Sequence, residues 1–425
     1  MWIVQRKPIP DAFCECFQNL ACCLTYQVDG YSDNRGGAIV RAYMERLVMK
    51  LNRLAFALLL SFAGNVAHAA QDTADTVLQA KRTTALEVAN LLNDASFRQS
   101  LADAFEYSPP SRGGGLRGVP LRPVLRGFSA TGPAHAGRLA LESVELDALR
   151  AKGTALQSQG LFEVRLHVPK GHDRPARLDD LSVAFTPAGD ESSWTTIEAF
   201  DRKGNKHTFD AGKPLPEPML VVDLDGREDM RSGIEVVNRF LADHGLQPPN
   251  AMVNLQADRA AGQLTVLDKI RLKNTEEPPI SGDADIYAIE SGINTDGTKP
   301  LVVIHDMPWL DRADITYTPG QHVISWNNHN AIGYANLILM EQDDATDWNA
   351  KARALLTAVT VAVGPVQPKA AVVSAIGAAI LKALPDDALT NTDDYVDSFY
   401  LLEPGKTYVD RVGARSNATA TFVPR

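Results

Sequence analysis

Asp343, Asp344 and Asp347 stand within one short junction, between "LILME" and "WNAKARALL", with no basic residue among them. The same crowding recurs in "HDMPWLDRADITY", with Asp306, Asp311 and Asp314, and in "TNTDDYVD", with Asp393, Asp394 and Asp397. Asp283 and Asp285 precede "IYAIESGI". Carboxylates brought within about 4–6 Å raise one another's pKa, and a hard cation removes that penalty. Calcium takes about 6–8 oxygens in irregular geometry, so carboxylates, amides and backbone carbonyls suit it. The metal-ligand set expected on this reasoning is Asp306, Asp311, Asp314, Asp343, Asp344, Asp347 and Asp394. The competing account is ordinary turn and helix-cap chemistry, to which aspartate is well suited. A third is a pair of carboxylates working as a hydrolase.

Other chemistry is missing. The chain has no GxSxG elbow, HExxH pair, Walker loop, dinucleotide fingerprint or kinase motif set. "DLDGRED" resembles a calcium loop but has Ser232 where the EF-hand template needs glutamate. His305 adjoins Asp306, and His322 and His329 flank a strand, but no partner nucleophile can be named. Catalytic residues stay unassigned, and whether the protein is an enzyme stays open.

The elements that would position the aspartates follow from periodicity. A helix is expected over 72–106, a basic Gly/Pro loop over 108–127 and a second helix over 140–152. Strands are expected at 161–168, 181–187, 194–201 and 218–226, then a helix from Arg227 to His244 with Gly245 as its cap. Later strands are read at 285–293, 300–306, 322–327, 334–341, 395–402 and 417–423. Two apolar helices, 349–363 and 369–384, are split by "GPVQP". Each is shorter than the roughly 20 residues that span a bilayer. Neighbouring antiparallel strands alternate in direction, so the acidic clusters fall at one end of the sheet pair. The fold class expected is α+β multidomain. It has a helical segment at 70–160, an α+β module at 161–274, and an antiparallel β-sandwich at 281–425 with a helical hairpin inserted at 349–384.

Residues 49–69 carry a short basic start, an apolar run and the small-x-small site Ala67-His68-Ala69, the plan of a secretory signal peptide. Residues 1–48 are then an upstream extension of a start codon at Met49. All four cysteines, Cys14, Cys16, Cys22 and Cys23, lie in that head. The exported chain would have none, and so no disulfide. Residues 1–69 hold seven basic and five acidic side chains, which leaves 35 against 47, a net of −12. Such a surface repels nucleic acid. A secreted or periplasmic location follows, with a membrane lipid, a glycan or a protein surface as partner.

The passages "LSVAFTPAGDESSWTTIEAFD", "HDMPWLDRADITYTPGQ", "LMEQDDATDWNAKA" and "LTNTDDYVDSFY" resemble a family of secreted bacterial proteins known only as a domain of unknown function. The resemblance runs from Leu161 to the C-terminus and implies no activity. The acidic loops are also similar to the calcium-dependent lipid-binding sandwich of protein kinase C and synaptotagmin. The helical insertion and the lack of Asp-Pro-Tyr after the first acidic loop depart from it. The expected function is a calcium-stabilised binding or structural protein of the envelope or exterior. The alternative is a secreted hydrolase with a carboxylate-based site in the acidic cleft.

Overall fold

Val77, Ala85, Val88, Ala89 and Leu92 recur at helical spacing and are all buried; residues 72–91 form helix α1. The single helix expected over 72–106 is two. Asp94 breaks it, because its Oδ1 accepts from the backbone N–H of Ser96 (2.7 Å) and Phe97 (3.2 Å) and so caps helix α2, Ala95–Tyr107. The computed structural model describes residues 72–107, 117–155, 160–169, 177–187, 194–247, 263–275, 284–329, 333–342, 344, 346–362, 369–384 and 394–425. The expected upstream extension, signal peptide and cysteines lie outside the described residues, as do Asp283, Asp343 and Asp393.

Residues 117–127, expected as part of a basic loop, form strand β1 (Arg117–Pro120) and the short helix α3 (Leu121–Gly127). Burial of Val119, Leu121, Val124 and Leu125 outweighs the local Gly and Pro content. Pro123 is tolerated because the first turn of a helix has no intrahelical partner for its N–H groups. Helix α4, Pro133–Lys152, starts earlier than expected, with proline in its first turn. It ends where Gly153 takes φ 71°.

A six-stranded sheet follows. Its strands are β1, β2 (Phe162–His167), β3 (Ser182–Phe185), β4 (Thr196–Phe200), β5 (Lys206–Asp210) and β6 (Met219–Leu224), in the order β1-β2-β6-β3-β4-β5. Only β3 and β6 pair in parallel. Strand β5 was not expected. It exists because Asp201 Oδ1 accepts from the N–H of Lys203 and Asn205 and turns the chain back. One face of the sheet shares a core with α1 to α4, through residues such as Val88, Phe97, Leu141, Val164 and Val222.

Helix α5, Gly226–Asp243, packs elsewhere. Its Met230, Ile234, Val237 and Leu241 join a core with a four-stranded antiparallel sheet, order β13-β12-β8-β9. These strands are β8 (Ile286–Ile293), β9 (Pro300–Asp306), β12 (Ala335–Glu341) and β13 (Tyr395–Leu402). Helices α6 (Trp348–Ala362) and α7 (Lys369–Ala383) connect β12 to its neighbour β13 and pack on the same face as α5. The opposite face shares a second core with a five-stranded sheet. That sheet is built from β7 (Leu264–Leu272), β10 (Thr316–Tyr317), β11 (Gln321–Ser325), β14 (Tyr408–Val412) and β15 (Ala418–Pro424). Strand β7, grouped by sequence with the middle module, therefore pairs with the C-terminal strand β15. The architecture is mixed α+β, with helices leading and strands following, and all described residues belong to one unit, Val66–Arg425.

Candidate functional site

Strand register fixes where the acidic ends go. Tyr287 pairs with Asp306, Ile286 with Glu341, and Met340 with Tyr395. The start of β8, the end of β9, the end of β12 and the start of β13 thus share one edge, which carries Asp285, Asp306, Asp344 and Asp394. The backbone N–H of Ala284 donates to the carbonyl of Asp311 (3.1 Å), which draws that loop to the same edge.

The side chains there have different work. Asp347 Oδ1 accepts from the N–H of Asn349 (2.9 Å) and Ala350 (3.0 Å), so it caps α6. Asp311 accepts from Tyr317 Oη (2.7 Å) and faces Arg227 at 3.4 Å. Asp314 is exposed, takes φ 62° and pairs with Arg271 at 2.7 Å. Asp394 contributes its carbonyl to the N–H of Glu341. Asp306 is half-buried, and burial lifts its carboxyl to about 6 against the pull of Arg227 and Arg231. Trp309 is half-buried against Tyr317 and donates to Gln321 Oε1 (2.7 Å).

Asp344 leads inward. Its carboxylate pairs with Lys81 of α1, and its carbonyl accepts from Lys152 of α4. Both lysines are fully buried. Lys81 Nζ also lies 2.7 Å from Asp223 Oδ1 and 2.8 Å from Thr186 Oγ1. Thr186 in turn donates to Asp223 Oδ1 at 2.5 Å. Asp223 and Glu163 are directly opposed across β6 and β2, an arrangement of like charges that destabilises a sheet. Arg165, two residues along the same face, bridges them. It pairs with Asp223 and lies 3.3 Å from Glu163. Lys152 Nζ sits 3.0 Å from Asp229 Oδ2, which also accepts from the side-chain amide of Gln342.

These contacts merge into one polar junction between the six-stranded sheet, the N-terminal helices and the acidic edge. Among the described residues, six carboxylates, of Glu163, Asp223, Asp225, Asp229, Asp285 and Asp344, meet four cations, Lys81, Lys152, Arg165 and Arg227. The surplus shows in proton affinity. Burial, followed by the charge of Asp344, pushes Asp285 well above the usual carboxylate range; Asp225 and Glu163 add to it. Burial pushes Glu163 up to about 7, with Asp225 and Asp344 adding and Arg165 opposing. Burial also raises Asp225 and Asp229. A Cβ at Gly226 would overlap the Asp285 carboxylate, so the glycine lets the two approach closely. Asp229 Oδ1 and Gln342 Oε1 are buried without a hydrogen-bond donor. Among the described residues, no three His, Cys, Asp or Glu side chains are already arranged around a metal position.

A second buried polar cluster lies between the two C-terminal sheets. Glu290 accepts from His305 Nε2 (2.8 Å) at one oxygen and from His329 Nε2 (2.7 Å) at the other. Burial alone would raise the carboxyl, but the two histidines win and hold it below its usual range.

Sequence reasoning missed Lys81, Lys152, Asp223 and Asp229. A signal was there. Lys81 falls four residues from both Val77 and Ala85, and Lys152 four from Ala148, so both interrupt apolar stripes. Asp223 interrupts "MLVVDL", a strand with every residue buried. A charge on a buried face demands a partner.

A family model described as "Protein of unknown function (DUF3103)" matches residues 128–425, and the chain belongs to that family. No curated protein and no solved structure matches.

Proposed function

We propose that the chain is a calcium-stabilised binding or structural protein of the cell envelope or exterior, working through the acidic strand ends. The observation that supports this most is the carboxylate surplus. Lys81 and Lys152 neutralise the inner carboxylates, while among the described residues Arg165 and the largely exposed Arg227 are the cations that oppose the raised carboxyls of Glu163, Asp225 and Asp285 most strongly. At neutral pH such a group must keep protons or take a cation. Calcium is the hard cation that accepts carboxylate, amide and carbonyl oxygens without a rigid cage. Asp306, Asp344 and the neighbouring Asp343 are the strand-end ligands in this reading, with Asp311, Asp314, Asp347 and Asp394 on the flanking turns. The paired C-terminal sheets are read as a β-sandwich with α6 and α7 inserted, a rigid base for those turns. The signal-like segment 49–69 supports an exported location, where calcium near millimolar would fill a site of modest affinity. A lipid headgroup, a glycan or a protein surface would then meet the metal at its exposed side.

Thermal unfolding with calcium and with chelator tests this. At ten times its dissociation constant, calcium adds about 1.4 kcal/mol. Coincident melting curves would overturn the reading.

The second reading is a secreted hydrolase. Glu163, lifted to about 7, lies next to the lysine- and arginine-paired Asp223, and two carboxyls with such unlike environments can divide acid and base work. This reading predicts turnover of chromogenic glycosides or esters that Glu163→Gln abolishes; no turnover by the wild type removes it.

A further inference from the structure

The ammonium of Lys81 occupies a built shell. An ammonium has three N–H donors and accepts nothing. Three oxygens meet it here: Asp223 Oδ1, Thr186 Oγ1 and Asp344 Oδ2. The Thr186 hydroxyl is committed as an acceptor toward lysine, because its own proton goes to Asp223. Complete burial is unusual for a lysine, whose flexible stem normally carries the charge out to water.

The shell is held by groups other than Lys81. Arg165 pairs with the far oxygen of Asp223, and the N–H of Leu224 donates to the near one at 2.9 Å. Lys152 grips the backbone carbonyl of Asp344. The N–H of Thr186 donates to the carbonyl of Val222, which ties the end of β3 to β6. All three oxygen donors lie inside the family-matched segment 128–425, whereas Lys81 lies ahead of it on α1. Receptor and ligand thus belong to different parts of the chain.

We propose that Asp223, Thr186 and Asp344 form a receptor for a primary alkylammonium group, and that Lys81 is its resident ligand. Helix α1 is seated by the burial of Val77, Ala85, Val88 and Ala89 as well as by its lysine. With the Lys81 side chain truncated, the same three oxygens accept the primary amine of another molecule. The proposal does not depend on calcium binding.

Chemical rescue in the full chain tests it. Lys81→Ala leaves a space the length of a propylammonium ion. The thermal midpoint of this variant should rise saturably with propylammonium and not with tetramethylammonium at equal ionic strength, since the latter donates no hydrogen bond. Wild type should respond to neither. Lys81→Met, whose side chain fills that space, should fold and stay unresponsive. If Lys81→Ala folds only poorly, its refolding yield replaces the midpoint, with recovery expected in propylammonium alone. Equal effects of the two cations, or an equal response from Lys81→Met, would overturn the proposal.

Discussion

Lys152 and Asp229 form an ion pair with both side chains fully buried. Two charges removed from water cost more than their attraction returns unless every contact is kept. Lys152→Met should therefore destabilise the protein by about 3–5 kcal/mol, because it strands Asp229. Adding Asp229→Leu should recover most of that loss, since an apolar pair of similar volume is often neutral. Chemical denaturation of the single and double variants measures both. Glu163 gives a pH test of opposite character. Its folded pKa of about 7 lies above that of the unfolded chain, so its stabilising effect is complete at low pH. It is lost as pH rises toward 7, at up to about 1.4 kcal/mol per pH unit. Glu163→Gln should remove that fall from the stability–pH profile. Glu290 carries the reverse sign. Its folded pKa is lowered, so it stabilises above the unfolded carboxylate range, and that contribution disappears as pH drops through the lowered value. Glu290→Gln should flatten the acid limb of the same profile.

At the scale of elements, the caps and close approaches are separable from the charge network. Asp347→Ala removes the oxygen that serves two N–H groups at the start of α6 and should cost about 1 kcal/mol, read from the denaturation midpoint. Gly233 on α5 lies flat under the indole of Trp348, where any Cβ would overlap the ring. Gly233→Ala should lower the thermal midpoint markedly and redden the tryptophan emission as the ring is displaced. Most strands and the apolar helices were legible, because periods of 2 and 3.6 survive in single segments such as "LFEVRLHV" and "KAAVVSAIGAAIL". The short pieces were not. β1 and α3 hide in a Gly/Pro-rich stretch, β5 depends on the turn made by Asp201, and β10 has only Thr316 and Tyr317. The parity of strands put Asp306 and the end of β12, which leads to Asp344, at one edge, and the register pairs Asp306 with Tyr287 and Glu341 with Ile286 there. What periodicity could not show was the partner. The lysine that meets the Asp344 carboxylate is 263 positions away in sequence, and no local pattern encodes such a pairing.

For the whole molecule, the polar junction is where the N-terminal helices, the six-stranded sheet and the acidic edge of the four-stranded sheet meet. Lysines from two helices hold the inner carboxylates, and a surplus is left toward the surface around Glu163, Asp225 and Asp285. Burial raises the proton affinity of these carboxyls, so a cation that binds them is expected to displace protons. The most direct measurement is a calorimetric titration of calcium into the protein at pH 6.5, repeated in two buffers of different ionisation enthalpy. The account predicts saturable binding whose heat changes with the buffer, showing proton release, and a smaller release in Asp285→Asn. Heats of dilution alone, or binding that releases no proton in wild type, would contradict it.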